Sequence, residues 1–318
     1  MDKAKRKSLP KIVVYGGRKL SGTVEVSGAK NSALPCLVAT LLTEEPCVLN
    51  NVPQLDDVET ICSLLKVLGK RIRHRGNTIH VESSGHLHPV APYELVSKMR
   101  ASILVMGALL ARAKKAKVSL PGGCAIGARP INLHLQGLTQ LGANINLEEG
   151  YVHLSAPKLY GTKIVFDCPS VGATENLVMA ATLAQGRSII ENAACEPEVG
   201  DLINLLNKMG AKITGGGTRT IEVIGVDRLS GSEHTIIPDR IETGTFLLAG
   251  AITNGEVTLY NVVPAHLDIV LLKLKEAGLK IDTGENRVSI RGNKTIKPID
   301  IETLPYPGFP TDMQAQWM

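Results

Sequence analysis

A loop rich in glycine and proline carries the side chains most capable of chemistry. Residues 119–134 read Ser-Leu-Pro-Gly-Gly-Cys-Ala-Ile-Gly-Ala-Arg-Pro-Ile-Asn-Leu-His, which sets Cys124, Arg129 and His134 among three glycines and two prolines. The flanking patterns predict an apolar strand before the loop and a helix after it. A thiol beside a guanidinium on such a loop is typical of reactive chemistry on an anionic substrate. The sequence therefore indicates an enzyme.

Three further charged residues stand where helices are predicted to start. Lys30 and Arg100 each open an apolar helical pattern, and Asp312 falls in the first turn of another. Helix N-termini attract anions because their amides are unpaired and carry partial positive charge. If the helices pack side by side, Lys30, Arg100 and Arg129 converge on a cleft for phosphate and carboxylate groups. The alternatives are a solvated charge at each start and, for Asp312, a dipole complement instead of a base acting on a hydroxyl.

The elements that must position these residues form a repeat. At intervals of roughly 70 residues, an apolar helix ends at a glycine and is followed by an alternating pair of strands; the glycines are Gly69, Gly142, Gly210 and Gly278. Each glycine fits the left-handed residue that ends a helix, and each strand pair has turn residues between its strands. The unit reads helix, strand, helix, hairpin. Such units stack on one another, which predicts an α/β fold with sheets outside and helices within.

A fifth unit is predicted to begin at Phe309. Thr311 and Gln314 have the spacing of a capping box, which announces a helix start. The sequence stops at Met318 without a helix body or a terminating glycine. From this pattern we expect a truncated chain.

Composition bounds the class of protein and its partners. The chain has 318 residues, 44% hydrophobic and 20% charged, which is ordinary for two soluble globular domains. Aromatic residues make up only 3%, which argues against stacking platforms for single-stranded nucleic acid. The formal charge of +5 suits an acidic small molecule better than a nucleic-acid partner. No secretory pattern or membrane-spanning run is found, so we expect a cytoplasmic protein without membrane insertion.

The cysteines are predicted to be free thiols. The chain has six of them, with no CxxC pair and no zinc-ligand spacing. Cys36 and Cys62 lie in apolar helical patterns, where core packing is the expected role. Cys124 is therefore the candidate for reactivity.

Five blocks of the chain resemble the UDP-N-acetylglucosamine 1-carboxyvinyltransferases, also called enolpyruvyl transferases. The blocks are Ser27-Gly28-Ala29-Lys30-Asn31, Met99-Arg100-Ala101-Ser102, Pro121 to Pro130, Ser170-Val171-Gly172-Ala173-Thr174, and Pro310-Thr311-Asp312-Met313-Gln314-Ala315-Gln316. They span nearly the whole chain in the family's order. The Pro-Gly-Gly-Cys loop is the most specific of them.

The resemblance implies a fold, a domain division and a reaction. The fold is the enolpyruvyl transferase fold, an inside-out α/β barrel of two domains with three repeats each. We expect residues 30–237 to form a domain with three repeats and the catalytic loop, and residues 1–29 with 238–318 to form an incomplete second domain. The implied reaction moves enolpyruvate from phosphoenolpyruvate to the 3′-hydroxyl of UDP-N-acetylglucosamine and releases phosphate, the first committed step of peptidoglycan synthesis. No metal and no organic cofactor are implied.

The resemblance also assigns roles to residues. Cys124 is the acid toward the methylene carbon and forms a covalent adduct, while Asp312 accepts the proton of the sugar hydroxyl. Lys30 is catalytic and, with Asn31 and Arg129, holds phosphoenolpyruvate. The expected UDP-N-acetylglucosamine site consists of Arg100, Arg129, Pro130, Ile131, Asn132, Leu133, Cys168, Pro169, Ser170, Val171 and Asp312.

Two positions depart from the family pattern, and two other functions stay open. The family often has lysine where Cys168 stands and aspartate where Asn132 stands; Lys163 is a candidate to replace the lost diphosphate contact.

Further phosphoenolpyruvate-binding arginines of the family lie beyond the matched region, so we expect this chain alone to be inactive. The alternatives are 3-phosphoshikimate 1-carboxyvinyltransferase, which lacks the cysteine loop, and a non-catalytic UDP-sugar-binding paralogue or fragment.

Overall fold

The computed structural model describes residues 11–120 and 131–318. The α-helices are α1 (Lys30–Ala39), α2 (Asp56–Val67), α3 (Tyr93–Val96), α4 (Val105–Ala113), α5 (Asn132–Gln140), α6 (Val171–Thr182), α7 (Pro197–Lys208), α8 (Arg240–Ile252), α9 (Asp268–Glu276) and α10 (Gln314–Trp317). Short 3₁₀ turns cover Thr40–Leu42, Arg100–Leu104, Pro264–Leu267 and Thr311–Met313.

The strands are short and belong to four sheets within the described residues. They are β1 (Ser21–Glu25), β2 (Cys47–Asn50), β3 (Lys70–Arg75), β4 (Thr78–Ser83), β5 (Val90–Ala91), β6 (Lys115–Ser119), β7 (Asn144–Glu148), β8 (Tyr151–Ser155), β9 (Lys163–Val165), β10 (Arg187–Glu191), β11 (Lys212–Thr214), β12 (Thr220–Ile224), β13 (Glu233–Thr235), β14 (Glu256–Tyr260), β15 (Lys280–Thr283) and β16 (Arg287–Arg291). The sheet orders are β13-β2-β4-β3, β5-β6-β8-β7, β9-β10-β12-β11 and β1-β14-β16-β15.

Every sheet repeats one pattern, which confirms the predicted unit and adds a strand to it. The strand that follows the unit's first helix pairs antiparallel with the second strand of the hairpin, as β10 does with β12. On its other side it pairs parallel with an extra strand, as β10 does with β9. The extra strand was not expected, because strands as short as β5 carry no readable alternation.

Two of these extra strands are exchanged between distant parts of the chain. The first sheet receives β13, which runs parallel to β2 with Glu233 opposite Val48. The fourth sheet receives β1, which runs parallel to β14 with Ser21 opposite Glu256. The chain therefore passes twice between the part that contains the first three sheets and the part that contains the fourth, once after β1 and once after β13.

Helices fill the interior and sheets lie outside, as predicted. In α1 every residue from Ser32 to Ala39 is buried, and in α6 every residue from Ala173 to Thr182 is buried. One hydrophobic core contains buried side chains between Ala33 and Ile236. A second, smaller core contains Val26 and side chains between Leu247 and Met313. Among the described residues, none of the helices is long and apolar enough to cross a membrane.

The predicted helix ends and hairpins are confirmed. Gly69, Gly142, Gly210 and Gly278 all have positive φ, between 90° and 104°, immediately after a helix. Only glycine takes up this left-handed geometry without steric cost, so the sequence pattern located four helix ends correctly. The prediction of free thiols is confirmed for the five cysteines that the structure describes. Cys36 and Cys62 are 0% exposed, as expected for residues that pack in the core.

Two local predictions were wrong. A helical turn does begin at Thr311, but it is a 3₁₀ turn, Pro310 is the residue that precedes it, and no side chain caps it. Thr311 and Gln314 therefore do not form a capping box. Arg100 opens a 3₁₀ turn that leads into α4, so it does not begin an α-helix.

Candidate functional site

The start of α1 carries the residues predicted to hold phosphoenolpyruvate. Lys30 opens the helix after Ala29, which is extended. Its Nζ lies 3.1 Å from Oδ2 of Asp57 in α2, and both side chains are about two-fifths exposed, at 40% and 39%. An ion pair this open to water holds its partners weakly. The ammonium group of Lys30 thus remains accessible to an anionic ligand.

Asn31 joins the start of α1 to the residue predicted to be the base. Its Nδ2 donates a hydrogen bond of 3.2 Å to Oδ2 of Asp312, which lies in the 3₁₀ turn Thr311–Met313. Asn31 belongs to a helix of the larger core, and Asp312 precedes Met313, a member of the smaller one. A carboxylate oriented by an amide donor at this position can take a proton from a hydroxyl group.

The two crossing segments, residues 26–29 and 236–239, meet just before α1. They form an antiparallel bridge between Gly28 and Pro238, and the amide of Ala29 donates to the carbonyl of Ile237 at 2.7 Å. A Cβ on Gly28 would lie 1.7 Å from the carbonyl oxygen of Asn51, so only glycine fits this approach. The entry into α1 is therefore fixed by backbone contacts.

Asp239 links the starts of α1 and α8. Its Oδ1 accepts from the amides of Ile241 and Glu242 at 2.8 and 3.0 Å, which caps α8. Its Oδ2 accepts from the amide of Lys30 at 3.3 Å. One carboxylate therefore holds the beginnings of two helices together.

Carboxylates and one arginine form a buried group at the start of α8. Arg240 Nε donates to Oε1 of Glu198 at 2.9 Å, and both side chains are at most one-tenth exposed. Burial, with the nearby charges of Glu198 and Glu196, raises the pKa of Glu175 well above its usual range. Oε1 of Glu175 and Oε2 of Glu196 have no hydrogen-bond partner within the described residues. A protonated Glu175 relieves the repulsion among these carboxylates.

Arg100 and His134 lie together at the start of α5. His134 is buried, and burial followed by the charge of Arg100 lowers its pKa to about 4. Its Nδ1 accepts a hydrogen bond of 2.9 Å from Nδ2 of Asn176, because Oδ1 of Asn176 already accepts from the amide of Gly107 at 2.7 Å. Neutral His134 thus ties α5 to α6. Ile131 and Leu133 are half-buried and Asn132 is exposed.

The residues predicted at the start of α6 form a separate group. The hydroxyl of Ser170 accepts from the amide of Ala173 at 3.4 Å and so caps the helix that Val171 begins. Cys168 is exposed, and Pro169, Ser170 and Val171 are half-buried. Lys163, the candidate substitute for the missing lysine, is paired on β9 with Glu191 at 2.8 Å. Among the described residues, no hydrogen bond or ion pair links this group to Lys30 or Asn31.

Cys124, Arg129 and Pro130, which the sequence predicted to belong to the site, lie outside the described residues.

Two acidic residues of the site were missed by the sequence analysis. Asp57 and Asp239 contact Lys30 but were not singled out from the sequence. Asp239 had a readable signal, since an aspartate directly before Arg240-Ile-Glu is a typical helix cap. Asp57 had none, because its partner is far away in the sequence.

One buried cluster has the donor types of a metal site. Ligand atoms of Cys36, Asp201 and His234 all lie within 4.8 Å of one another. Both oxygens of Asp201 already take part in hydrogen bonds, and Lys208 Nζ lies 3.3 Å from Nδ1 of His234. Burial raises the pKa of Cys36 well above its usual range, so its thiol stays protonated. A satisfied hydrogen-bond network describes this cluster better than a cation site.

Comparison with known proteins gives a family match over nearly the full chain. The family model described as EPSP synthase (3-phosphoshikimate 1-carboxyvinyltransferase) matches residues 14–318. A UDP-N-acetylglucosamine 1-carboxyvinyltransferase from Desulfosudis oleivorans is 56% identical over 310 residues, which cover 98% of this chain and 74% of that protein. One of the same name from Endomicrobium trichonymphae is 54% identical over 311 residues, with the same coverage of 98% and 74%.

Solved structures agree on the fold. The enolpyruvyl transferase NikO from Streptomyces tendae superposes with a TM-score of 0.85 at 22% identity, covering 96% of this chain and 73% of that one. EPSP synthase from Acinetobacter baumannii superposes with a TM-score of 0.69 at 18% identity, covering 89% and 67%. The architecture described above is therefore the enolpyruvyl transferase fold, as the sequence predicted.

Proposed function

The chain belongs to the EPSP synthase family of carboxyvinyltransferases, and from this premise we propose that it transfers enolpyruvate from phosphoenolpyruvate to the 3′-hydroxyl of UDP-N-acetylglucosamine. Phosphate is the second product. The choice of acceptor rests on the names of relatives more than half identical to this chain and on the Pro-Gly-Gly-Cys motif at residues 121–124. The reaction commits material to peptidoglycan synthesis, and we propose that it takes place in the cytoplasm.

The observation that carries the proposal is the contact between Asn31 and Asp312. It sets the proposed base beside Lys30 and Asn31, the residues proposed to hold phosphoenolpyruvate. A hydroxyl group delivered between them meets a proton acceptor and the carbon to be attacked. Lys30 also contacts Asp57 through an exposed ion pair, which leaves its ammonium group accessible to phosphoenolpyruvate.

The proposed chemistry is an addition followed by an elimination. The sugar hydroxyl adds to C2 of phosphoenolpyruvate while Asp312 takes the hydroxyl proton and Cys124 gives a proton to C3. Lys30 and Arg129 stabilise the negative charge of the tetrahedral intermediate. Loss of a C3 proton and of phosphate then restores the carbon–carbon double bond, with the sugar joined as an enol ether. Cys124 and Arg129 enter by resemblance, since they lie outside the described residues.

We propose a sugar-nucleotide site formed by the starts of α5 and α6. Its first side consists of Arg100, Ile131, Asn132 and Leu133, and its second of Cys168, Pro169, Ser170 and Val171. Arg129 and Pro130, which lie outside the described residues, are assigned to the site by resemblance. Unpaired amides at the N-terminus of each helix favour the diphosphate. Lys163 pairs with Glu191 at 2.8 Å, and because this ion pair is exposed, its ammonium group remains accessible to the diphosphate, as that of Lys30 is to its ligand. The diphosphate then depends on backbone donors, Arg100 and Lys163.

We also propose that residues 30–237 form one domain and that residues 1–29 with 238–318 belong to another. The support is the presence of two cores, one with buried side chains from 33 to 236 and the other with Val26 and side chains from 247 to 313. Residues 30–237 include β13, so expression of this segment alone removes no strand from its sheets. Cooperative unfolding of the isolated segment in urea is the expected result.

Phosphate release with two acceptors tests the function. A full-length version of the protein is incubated with phosphoenolpyruvate and either UDP-N-acetylglucosamine or shikimate 3-phosphate. We expect release with the sugar nucleotide alone, and release with shikimate 3-phosphate alone would overturn the proposal. Calorimetric binding of UDP-N-acetylglucosamine without phosphate release would instead identify a non-catalytic sugar-nucleotide binder.

A further inference from the structure

A buried polar network lies beneath the first turn of α1. The hydroxyl of Ser32 donates to Oδ2 of Asp201 in α7 at 2.5 Å, and Oδ1 of Asp201 lies 2.9 Å from Nε2 of His234 in β13. Ser32, Asp201 and His234 are 0%, 3% and 4% exposed. Polar groups this deep are costly unless all of them are paired. The network therefore holds three elements in one arrangement.

Lys208, at the edge of the network, determines which atoms of the network donate hydrogen bonds and which accept them. Nζ of Lys208, at the surface end of α7, lies 3.3 Å from Nδ1 of His234. An ammonium group can only donate, so Nδ1 accepts and the ring proton resides on Nε2. His234 then donates to Asp201, as Ser32 does. Asp201 is thus the common acceptor of the network.

Asp201 also holds the second crossing segment. The amide of Ile237 donates to Oδ2 of Asp201 at 3.2 Å, and the carbonyl of the same residue accepts from the amide of Ala29 at 2.7 Å. Asp201 is therefore hydrogen-bonded both to the first turn of α1, through Ser32, and to the segment that follows β13, through Ile237. Lys30 and Asn31 lie between these two attachment points.

We propose that Asp201 is a positioning residue that fixes the start of α1 against the crossing segment 236–239, and so sets where Lys30 and Asn31 meet phosphoenolpyruvate. The inference rests on the proposed function for its substrate, but the network itself does not. Asp201 touches no reacting atom and acts through Ser32 and Ile237. Its loss frees the helix start while leaving Lys30, Asn31 and Asp312 chemically intact.

Two variants and a matched control test the proposal on the full chain. Asp201→Asn replaces one of the two accepting oxygens by an amide donor, which must then face either Nε2–H of His234 or the amide of Ile237. Ser32→Ala removes only the hydrogen bond from α1 to Asp201. The control is Asn207→Ala, which lies on the same helix and loses two hydrogen bonds of 2.9 Å to the backbone of Ile213, away from α1. If Asp201→Asn does not fold, Ser32→Ala carries the test, because it removes a single hydroxyl.

The first measurement is amide hydrogen exchange, which needs no activity. In Asp201→Asn and Ser32→Ala we expect exchange at Ala29 and Lys30 to accelerate by about tenfold, the effect of losing one buried hydrogen bond. In Asn207→Ala the acceleration is expected at Ile213 only. Unchanged exchange at Ala29 in both network variants would overturn the inference, as would equal acceleration there in the control.

The second measurement separates positioning from general destabilisation. We expect the KM for phosphoenolpyruvate to rise about tenfold in both network variants, with kcat and the KM for the sugar nucleotide much less affected. The control is expected to retain all three parameters. A fall in kcat with unchanged KM for phosphoenolpyruvate would contradict the inference. If the parent protein neither binds nor consumes phosphoenolpyruvate, the proposed function fails, and the exchange measurement still decides whether Asp201 fixes the helix start.

Discussion

Asn31 donates a hydrogen bond to Asp312 across 281 residues of sequence. The two residues belong to different groups of elements, α1 of the larger core and the 3₁₀ turn beside the smaller one. The hydrogen bond of 3.2 Å joins the start of α1 to the turn that carries the proposed base. The crossing segments, which fix the entry into α1, therefore lie next to the proposed site.

Replacing Asp312 by asparagine is expected to remove the proposed base. Asp312→Asn keeps the size of the side chain and its contact with Asn31 but cannot accept a proton at neutral pH. We expect kcat to fall by about 10²–10⁴-fold, the usual worth of a general base, with little change in the KM for phosphoenolpyruvate. Steady-state phosphate release measures both parameters.

Asp300→Asn is the matched control for this substitution. Asp300 is an exposed aspartate in the same region of the chain, outside any helix or strand. We expect it to leave kcat unchanged. Equal losses in the two variants would show that Asp312 does not act as the base, and that the charge of this surface is what matters.

Local sequence patterns were sufficient to locate most elements of the fold. Alternating residues gave the hairpins, and a glycine after each apolar helix gave its end, as the positive φ of Gly69 and Gly278 shows. These signals work because they are properties of neighbouring residues. The four extra strands carry no such signal. β5 has two residues, and β13 is defined by pairing with β2, whose sequence position is about 185 residues away.

The same division between local and distant signals explains the site. Lys30 and Asp312 were found because each stands at a predicted helix start and belongs to a block that resembles a known family, and Asn31 was found from its block alone. Asp57 and Asp201 were not found, because an isolated aspartate in an amphipathic helix has the same pattern whether its side chain meets water or a partner. Thr311 was misinterpreted for a related reason: the capping-box spacing is present, but the turn that follows Pro310 is of the 3₁₀ type.

Selective alkylation is expected to identify Cys124 as the reactive thiol. An epoxide that mimics phosphoenolpyruvate, such as fosfomycin, should combine with the thiolate of a cysteine close to cationic side chains. Burial raises the pKa of Cys62 to about 12 and that of Cys36 well above its usual range, so both stay protonated and inaccessible at neutral pH. Peptide mass spectrometry after brief treatment should find the label on Cys124.

Iodoacetamide provides the comparison for this experiment. Cys168 is exposed and should react with that general reagent, while the epoxide should leave it unlabelled. Cys124→Ser should abolish epoxide labelling and retain the iodoacetamide product at Cys168. Epoxide label on Cys168 or Cys195 would count against the assignment of Cys124.

Two helical glycines are expected to respond to alanine in opposite directions. A Cβ on Gly107 in α4 would lie 2.3 Å from both the carbonyl oxygen and Oδ1 of Asn176, so Gly107→Ala must push α4 away from α6. We expect a loss of about 1–3 kcal/mol of unfolding free energy. A Cβ on Gly200 in α7 would meet nothing within 4 Å, so Gly200→Ala should gain about 0.5–1 kcal/mol. Urea unfolding measures both, and a stabilising Gly107→Ala would contradict the close approach of α4 and α6.

The pH dependence of stability is expected to report the burial of His134. Its pKa is lowered from 6.5 to about 4, first by burial and then by the charge of Arg100. The unfolded chain binds a proton near pH 6.5 and the folded chain does not until near pH 4, so stability present above pH 6.5 is lost as the pH falls toward 4. The full shift corresponds to about 3 kcal/mol.

His134→Gln isolates this contribution from the other titrating groups. The oxygen of glutamine can accept from Nδ2 of Asn176 as Nδ1 of His134 does, but it does not titrate in this range. Unfolding free energies of parent and variant, measured in urea at intervals from pH 7 to pH 4, should therefore converge or cross as the pH falls, because only the parent loses stability through this group. Parallel curves over that range would mean that His134 binds a proton as readily in the folded protein as in the unfolded chain, and that it does not tie α5 to α6 in its neutral form.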